Sequence, residues 1–116
     1  MVVLALGETA RSANWSLNGD DRNTNPYTSS RDIINFTNVE SCGTSTAESV
    51  PCMFSGQGKD RFNRSKAEHT ENLLDILQRV GVRVVWRDND SGSKEVANRV
   101  VYENFATHRE SDLVPE

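Results

Sequence analysis

The feature that most constrains the fold is a helix-like stretch that ends at a glycine and runs at once into a β-branched segment, residues 65–86. Ser65 and Glu68 have the spacing of a capping box, in which side chain and backbone reciprocally satisfy the amides that open a helix. Leu73, Leu74, Leu77 and Val80 fall on one stripe at helical spacing, and Gly81 suits the position just past a helix C-terminus. Val82, Arg83, Val84, Val85 and Trp86 then read as a strand. A second, buried strand is expected at residues 2–6, a continuous apolar run stopped by Gly7. Helix, glycine and strand in this order, with that second strand, predict an α/β fold: a parallel sheet covered by helices.

The rest of the chain sets bounds. With 116 residues and 35% apolar content it can build one small domain. A net charge of −4 and no basic cluster argue against nucleic-acid binding, which needs a concentrated Lys/Arg face. The apolar run at residues 2–6 is far shorter than the roughly 20 residues that cross a bilayer, and it lacks signal-peptide flanks. The chain as written therefore reads as carrying no targeting or membrane segment. Residues 18–25 read as a surface loop, and residues 33–36 as a short strand or edge segment. From Thr46, Ala47, Val50, Met53 and Phe54 recur at helical spacing, while Pro51 is tolerated only near a helix start or in a break. A short helix beginning near Thr46 is expected. Beyond Val100 the pattern fades, and residues 110–116 read as a polar tail.

Three places carry reactive or ligating groups. Glu8 follows the apolar run, and the carboxyl edge of an open α/β sheet is where ligands bind. Residues 41–52 place Thr44, Ser45 and Thr46 between Cys42 and Cys52. Hydroxyl residues before a helix are most often N-caps, and a threonine hydroxyl becomes a nucleophile only with a base or a metal beside it. The two cysteines have nine residues between them; in a cytosolic protein they would be free thiols, in an exported one a local disulfide. They do not form a Cys-x-x-Cys pair, which argues against a zinc ribbon or redox motif. Residues 88–94, Asp-Asn-Asp-Ser-Gly-Ser-Lys, follow the second expected strand, and turn chemistry alone accounts for their composition.

Taken in order, Gly-Glu-Thr-Ala-Arg, Cys-Gly-Thr-Ser-Thr with Val-Pro-Cys-Met-Phe-Ser, Glu-Asn-Leu-Leu-Asp and Trp-Arg-Asp-Asn-Asp-Ser resemble the phosphoethanolamine transferases that modify lipid A. These are membrane enzymes of the alkaline-phosphatase and sulfatase superfamily. The resemblance runs from Val2 to about Lys94 and implies the N-terminal portion of a sulfatase-like catalytic domain, since the family is far longer than this chain. It makes Thr46 the nucleophile and Glu8 a zinc ligand together with Thr46. Thr44 would contact phosphate, and Asp90, Ser91 and Lys94 would surround the phosphoethanolamine group. It pairs Cys42 with Cys52 in a disulfide. The implied reaction moves phosphoethanolamine from phosphatidylethanolamine to a lipid A phosphate through a covalent intermediate on Thr46, a modification tied to polymyxin resistance.

The resemblance also implies an enzyme anchored in the inner membrane by a separate N-terminal domain and facing the periplasm. Glu8 and Thr46 should then lie close together. The family draws its other zinc ligands from an Asp-His pair and another histidine, whereas His69 and His108 here are not preceded by aspartate and read as solvated. The metal site is thus expected to be incomplete and the chain alone inactive. Asp20 stands where relatives usually carry tyrosine, Glu48 where they carry an apolar or aromatic residue, and Glu95 where they carry glycine. Ser93 and Ala97 occupy the positions of a second disulfide found in some relatives. The rival reading is a non-catalytic truncated α/β module that binds phosphate-like anions. A sulfatase or phosphatase would share the scaffold, but the cysteine loop fits the transferases better.

Overall fold

A computed structural model describes residues 1–106, which fall in two compact units, one of Met1–Glu40 and one that begins at Ser41. His108 and the expected tail at residues 110–116 lie outside the described residues.

The first unit contains two short 3-10 turns, Ser12–Asn14 and Ser16–Asn18, and no residue in it is buried. Polar side chains knit it together. Asn25 Oδ1 accepts from the Ser16 hydroxyl (3.3 Å) and from the Leu17 amide (3.4 Å), and the Ser16 amide donates to Thr24 Oγ1 (2.8 Å). Asn35 Nδ2 donates to Leu17 O (3.1 Å) and Asn18 Oδ1 (2.9 Å). Around the expected loop, Gly19 adopts φ 102°, and Arg22 holds the Asp20 carboxylate well below its usual pKa.

The expected strand at residues 2–6 does not form. Val2 is 97% exposed and Leu4 67%, and the segment takes part in no ladder. A parallel strand is stable only where neighbours satisfy its amides and cover its faces, and these apolar residues have neither among the described residues. Residues 33–36 fail as a strand in the same way, with Ile34 and Phe36 exposed.

The second unit holds a core. α1 (Thr46–Phe54) places Val50 and Phe54 on one face; α2 (Arg64–Glu68) and α3 (Leu73–Arg79) follow, then β1 (Val85–Asp88) and β2 (Val101–Asn104). Val50, Phe54, Leu74, Val96 and Ala97 form the buried cluster, with Val84, Trp86 and Val100 packed against it. The Phe54 and Trp86 rings meet edge to face at 5.6 Å. β1 and β2 pair in parallel, Val85 opposite Val101 and Asp88 opposite Asn104, through a connection over residues 89–100 that contains turns but no helix. This is an α/β unit with a small parallel sheet.

Three expectations shift. The helix-like run at residues 65–80 is two helices, because Asn72 and Asp75 make a stronger start signal than Ser65 and Glu68. Asn72 Oδ1 accepts from the Leu74 amide (2.8 Å) while Asp75 Oδ2 accepts from the Asn72 amide (2.8 Å), a complete capping box that restarts the helix. Asn63 caps α2, and Glu68 pairs with Arg64 instead. Of the apolar stripe, Leu74 is buried and Leu77 half-buried, while Leu73 and Val80 stay exposed.

The glycine after α3 behaves as expected. Gly81 has φ 89° and donates to Gln78 O (3.0 Å), and Val82 N–H donates to Leu77 O (3.0 Å), which closes the helix in a Schellman motif. That closure uses Val82, so the strand begins at Val85 and not at Val82. α1 runs through Pro51 to Phe54 rather than stopping there. Pro51 removes one helical hydrogen bond, but it is buried together with Val50 and Cys52.

Candidate active site

Thr46 is the first residue of α1 and is half-buried. Ser45 before it is extended (φ −104°, ψ 143°) and makes no side-chain cap bond. The first amides of a helix have no acceptor within the helix and carry the positive end of its dipole, so a hydroxyl here lies where negative charge is favoured. A disulfide joins Cys42 to Cys52, Cα to Cα 6.2 Å, and so ties the loop before α1 to the helix's far half. Within the loop the Ser41 hydroxyl donates to Gly43 O (2.6 Å), and Thr44 is exposed. The Glu48 carboxylate lies against Gly43: a Cβ there would stand 2.9 Å from Glu48 Oε2. An acid has taken the place beside the loop where the resemblance has an apolar or aromatic side chain.

Asp90, Ser91 and Lys94 come together in one chain of hydrogen bonds. Lys94 Nζ donates to Ser91 O (2.6 Å) and Ser91 Oγ (2.8 Å), and the Ser91 hydroxyl donates to Asp90 Oδ2 (2.9 Å). The turn follows β1, at the carboxyl edge of the sheet. Lys94 and Glu95 both have left-handed backbone, φ 52° and 73°, a conformation that suits glycine and strains other residues. Glu95 is the position where the resemblance expects glycine, the residue that takes this backbone without strain. Where the resemblance expects a second disulfide in some relatives, the Ala97 amide donates to buried Ser93 Oγ (3.2 Å), so a hydrogen bond spans the same two residues.

Glu8 belongs to the first unit and Thr46 to the second. Glu8 is exposed, and its Oε1 accepts from the Thr9 hydroxyl (2.9 Å). Because residues 2–6 form no strand, Glu8 does not stand at a strand terminus as expected. His69 is exposed with Nδ1 2.6 Å from Ser65 O, at the end of α2. Among the described residues no three His, Cys, Asp or Glu side chains gather as a metal-binding group. Structural and catalytic zinc takes three or four protein ligands. The described residues by themselves do not make up such a ligand set.

The sequence reading missed two carboxylates. Asp88, at the end of β1, is 7% exposed. Its Oδ1 accepts from the Asp90 amide (2.8 Å) and the Gly92 amide (3.2 Å), and its Oδ2 from Trp86 Nε1 (3.2 Å). Burial raises its pKa, but the donors from Asp90, Trp86, Gly92 and the Tyr102 hydroxyl together outweigh it and hold Asp88 below the usual value. Burial and the Asp88 charge push Tyr102 up. Asp75 is gripped by Arg99 through one guanidinium edge, Nε donating to Oδ1 at 3.0 Å and Nη2 to Oδ2, which lowers its pKa against the opposing effect of burial. Arg99 also donates to Thr70 O (3.1 Å), and Asn72 Nδ2 to Val96 O (2.8 Å), so the start of α3 pins the segment just after Lys94. An Asp at a strand end before Asn-Asp-Ser-Gly is a legible turn signal, as is Asn-x-x-Asp for the capping box. Arg99 has no local signal, because its partner is 24 residues away.

The fold and these loops define an α/β unit with polar loops at the carboxyl edge of its parallel sheet, and comparison with known proteins makes the class specific: the chain belongs to the Sulfatase family, whose model matches residues 1–114. It is similar to the phosphatidylethanolamine transferase Mcr-1 of Escherichia coli, 48% identical over 110 residues, 94% of this chain and 20% of that protein. The integral membrane lipooligosaccharide phosphoethanolamine transferase A of Neisseria meningitidis matches with TM-score 0.81 and 54% identity, over 84% of this chain and 18% of that one. The C-terminal periplasmic domain of the phosphoethanolamine transferase EptC from Campylobacter jejuni matches with TM-score 0.81 and 40% identity, over 93% of this chain and 36% of that one. The chain thus spans about one fifth of the length of the curated relative. No helix among its described residues is long and apolar enough to cross a membrane.

Proposed function

We propose that this chain is the nucleophile-bearing part of a phosphoethanolamine transferase that acts on lipid A. The observation that carries this reading is Thr46 at the first turn of α1, inside the loop closed by Cys42 and Cys52, in a chain whose relatives carry that activity in their names. In the reading, Thr46 Oγ1 forms a bond to the phosphorus of phosphatidylethanolamine. The bond from phosphorus to the diacylglycerol oxygen breaks, and diacylglycerol leaves with the hydroxyl proton. An oxygen of a lipid A phosphate then attacks the same phosphorus, and Thr46 departs and recovers a proton. The positive end of α1 favours the charge that builds in both steps. Thr44 faces the same phosphate, and Lys94, Ser91 and Asp90 receive the headgroup, cation to phosphate and acid to ammonium.

Zinc belongs to the same proposal: Glu8 and Thr46 are the groups of this chain that the reading assigns to it as ligands, and the described residues do not supply the others. Placement on the periplasmic side of the inner membrane, and a part in polymyxin resistance, follow from the same reading. The chain alone is expected to be modified once at most, without turnover. The test supplies fluorescent phosphatidylethanolamine in detergent, with and without zinc, and looks for diacylglycerol and for a phosphoethanolamine-modified Thr46 peptide by mass spectrometry. Modification on another residue, or equal modification of Thr46→Ala, would sink the assignment. Sustained turnover would overturn the expectation of an incomplete site.

A further inference from the structure

Asp88 is a buried acid that the transfer chemistry does not use. Burying a carboxylate is costly unless its oxygens are satisfied, and an apolar side chain could cover the end of β1 without that cost. Here the cost is offset by donors from three stretches of chain: Trp86 in β1, Asp90 and Gly92 in the turn, and Tyr102 in β2. A simple turn needs one of these. The two backbone donors bracket Ser91, and the far side of the same turn is held by the Lys94 ammonium on Ser91 O and Oγ. Ser91 is therefore clamped from both directions, and its geometry depends on the buried Asp88 carboxylate.

We propose that Asp88 is a positioning residue: it fixes the turn from Asp90 to Lys94 in the shape that accepts a phosphoethanolamine headgroup, acting through the Asp90 and Gly92 amides. The proposal rests on the reading of that turn as the headgroup site. It requires carboxylate-like geometry at position 88 more than charge, since what matters is an oxygen placed to accept two amides.

The test titrates the full chain with O-phosphoethanolamine, with calorimetry for affinity and amide NMR for the Ser91 and Lys94 signals. Asp88→Ala should bind about 10-fold more weakly, the effect of two lost hydrogen bonds of ordinary worth. Asp88→Asn keeps an oxygen for the two amides but turns an NH2 toward Trp86 Nε1, so it should bind about 3-fold more weakly than the wild type and remain tighter than Asp88→Ala. Asp88→Glu keeps the charge but moves the oxygens by one methylene, and it should weaken binding nearly as much as alanine. It also serves as the test if the alanine variant does not fold. Wild-type affinity in Asp88→Glu, or an Asn variant as weak as Ala, overturns the positioning role and leaves the headgroup reading standing. A wild-type chain that binds neither O-phosphoethanolamine nor inorganic phosphate overturns the headgroup reading itself, and the positioning role falls with it.

Discussion

Residues 1–40 hold Val2, Val3, Leu4, Ile34 and Phe36 out in solvent and are knit by asparagine, serine and threonine side chains, whereas the unit from Ser41 onward buries Val50, Phe54, Leu74, Val96 and Ala97. Both stretches contain apolar segments that look ready to fold. The difference lies in what each segment needs. A helix satisfies its own backbone, so α1 and α3 need only one apolar face covered. A strand satisfies none of its backbone alone, and residues 2–6 have no ladder to join among the described residues. β1 succeeds because β2 returns beside it.

The largest effect that should separate the two units is loss of a core aromatic. Phe54→Ala should destabilise the second unit by about 3–5 kcal/mol in urea unfolding. Phe36→Ala, 74% exposed in the first unit, should stay within about 0.5 kcal/mol. A comparable loss at Phe36 would mean that its surroundings are a core after all, and the contrast would break.

Next in size is the disulfide. Replacing Cys42 and Cys52 with serine should cost about 2–3 kcal/mol by releasing the loop in the unfolded chain. Hydrogen exchange should quicken over α1 and stay unchanged over residues 12–25. An equal change in both units would show that they unfold as one.

Acid should also act on the second unit. Asp75 and Asp88 have pKa values held below their ordinary 3.8 in the folded state. The unfolded state then binds more protons as pH falls, so their contribution is complete above about pH 5 and is lost as pH drops through about 4 and below. Arg99 is half exposed, so the Asp75 share is screened by solvent. Asp75→Asn should flatten the acid limb of a stability-against-pH curve while lowering stability at pH 7. An unchanged acid limb would mean that Arg99 does not hold Asp75 in solution.

Legibility followed the same divide between self-sufficient and partner-dependent features. The start of α1 at Thr46, the glycine closure after α3 and the turn at residues 88–94 are written in neighbouring residues, and the structure has them where the sequence places them. The break between α2 and α3 is equally local, but Asn72 and Asp75 compete there with the similar pair Ser65 and Glu68, and only the fold shows which pair caps. β2 was hidden because Val-Tyr-Glu-Asn is short and shows no alternation of burial; only its pairing with β1 makes it a strand. The grip of Arg99 on Asp75 joins residues with no local relation. Of the candidate site, the motif resemblance supplied Thr46, Thr44, Glu8 and the Asp90, Ser91, Lys94 trio, and Asp88 had to come from the fold.

The smallest effect tests backbone strain in both units with one substitution type. Thr9 in the first unit and Glu95 in the second both sit at positive φ, 52° and 73°. A non-glycine residue there costs about 1–3 kcal/mol, while glycine adds roughly 0.5–1 kcal/mol of unfolded-state entropy. Glu95→Gly should therefore stabilise the second unit by about 0.5–1 kcal/mol, because Glu95 adjoins core residue Val96 and its strain is coupled to the core's unfolding. Thr9→Gly relieves similar strain at a β-branched residue, but the surrounding chain buries nothing that unfolds with it, so the main transition should not move. Paired urea melts of the two variants decide the matter. A shift from Thr9→Gly as large as that from Glu95→Gly would mean that the polar network of residues 1–40 melts cooperatively with the core, and that hydrogen bonding alone has given the first unit what the second obtains by burial.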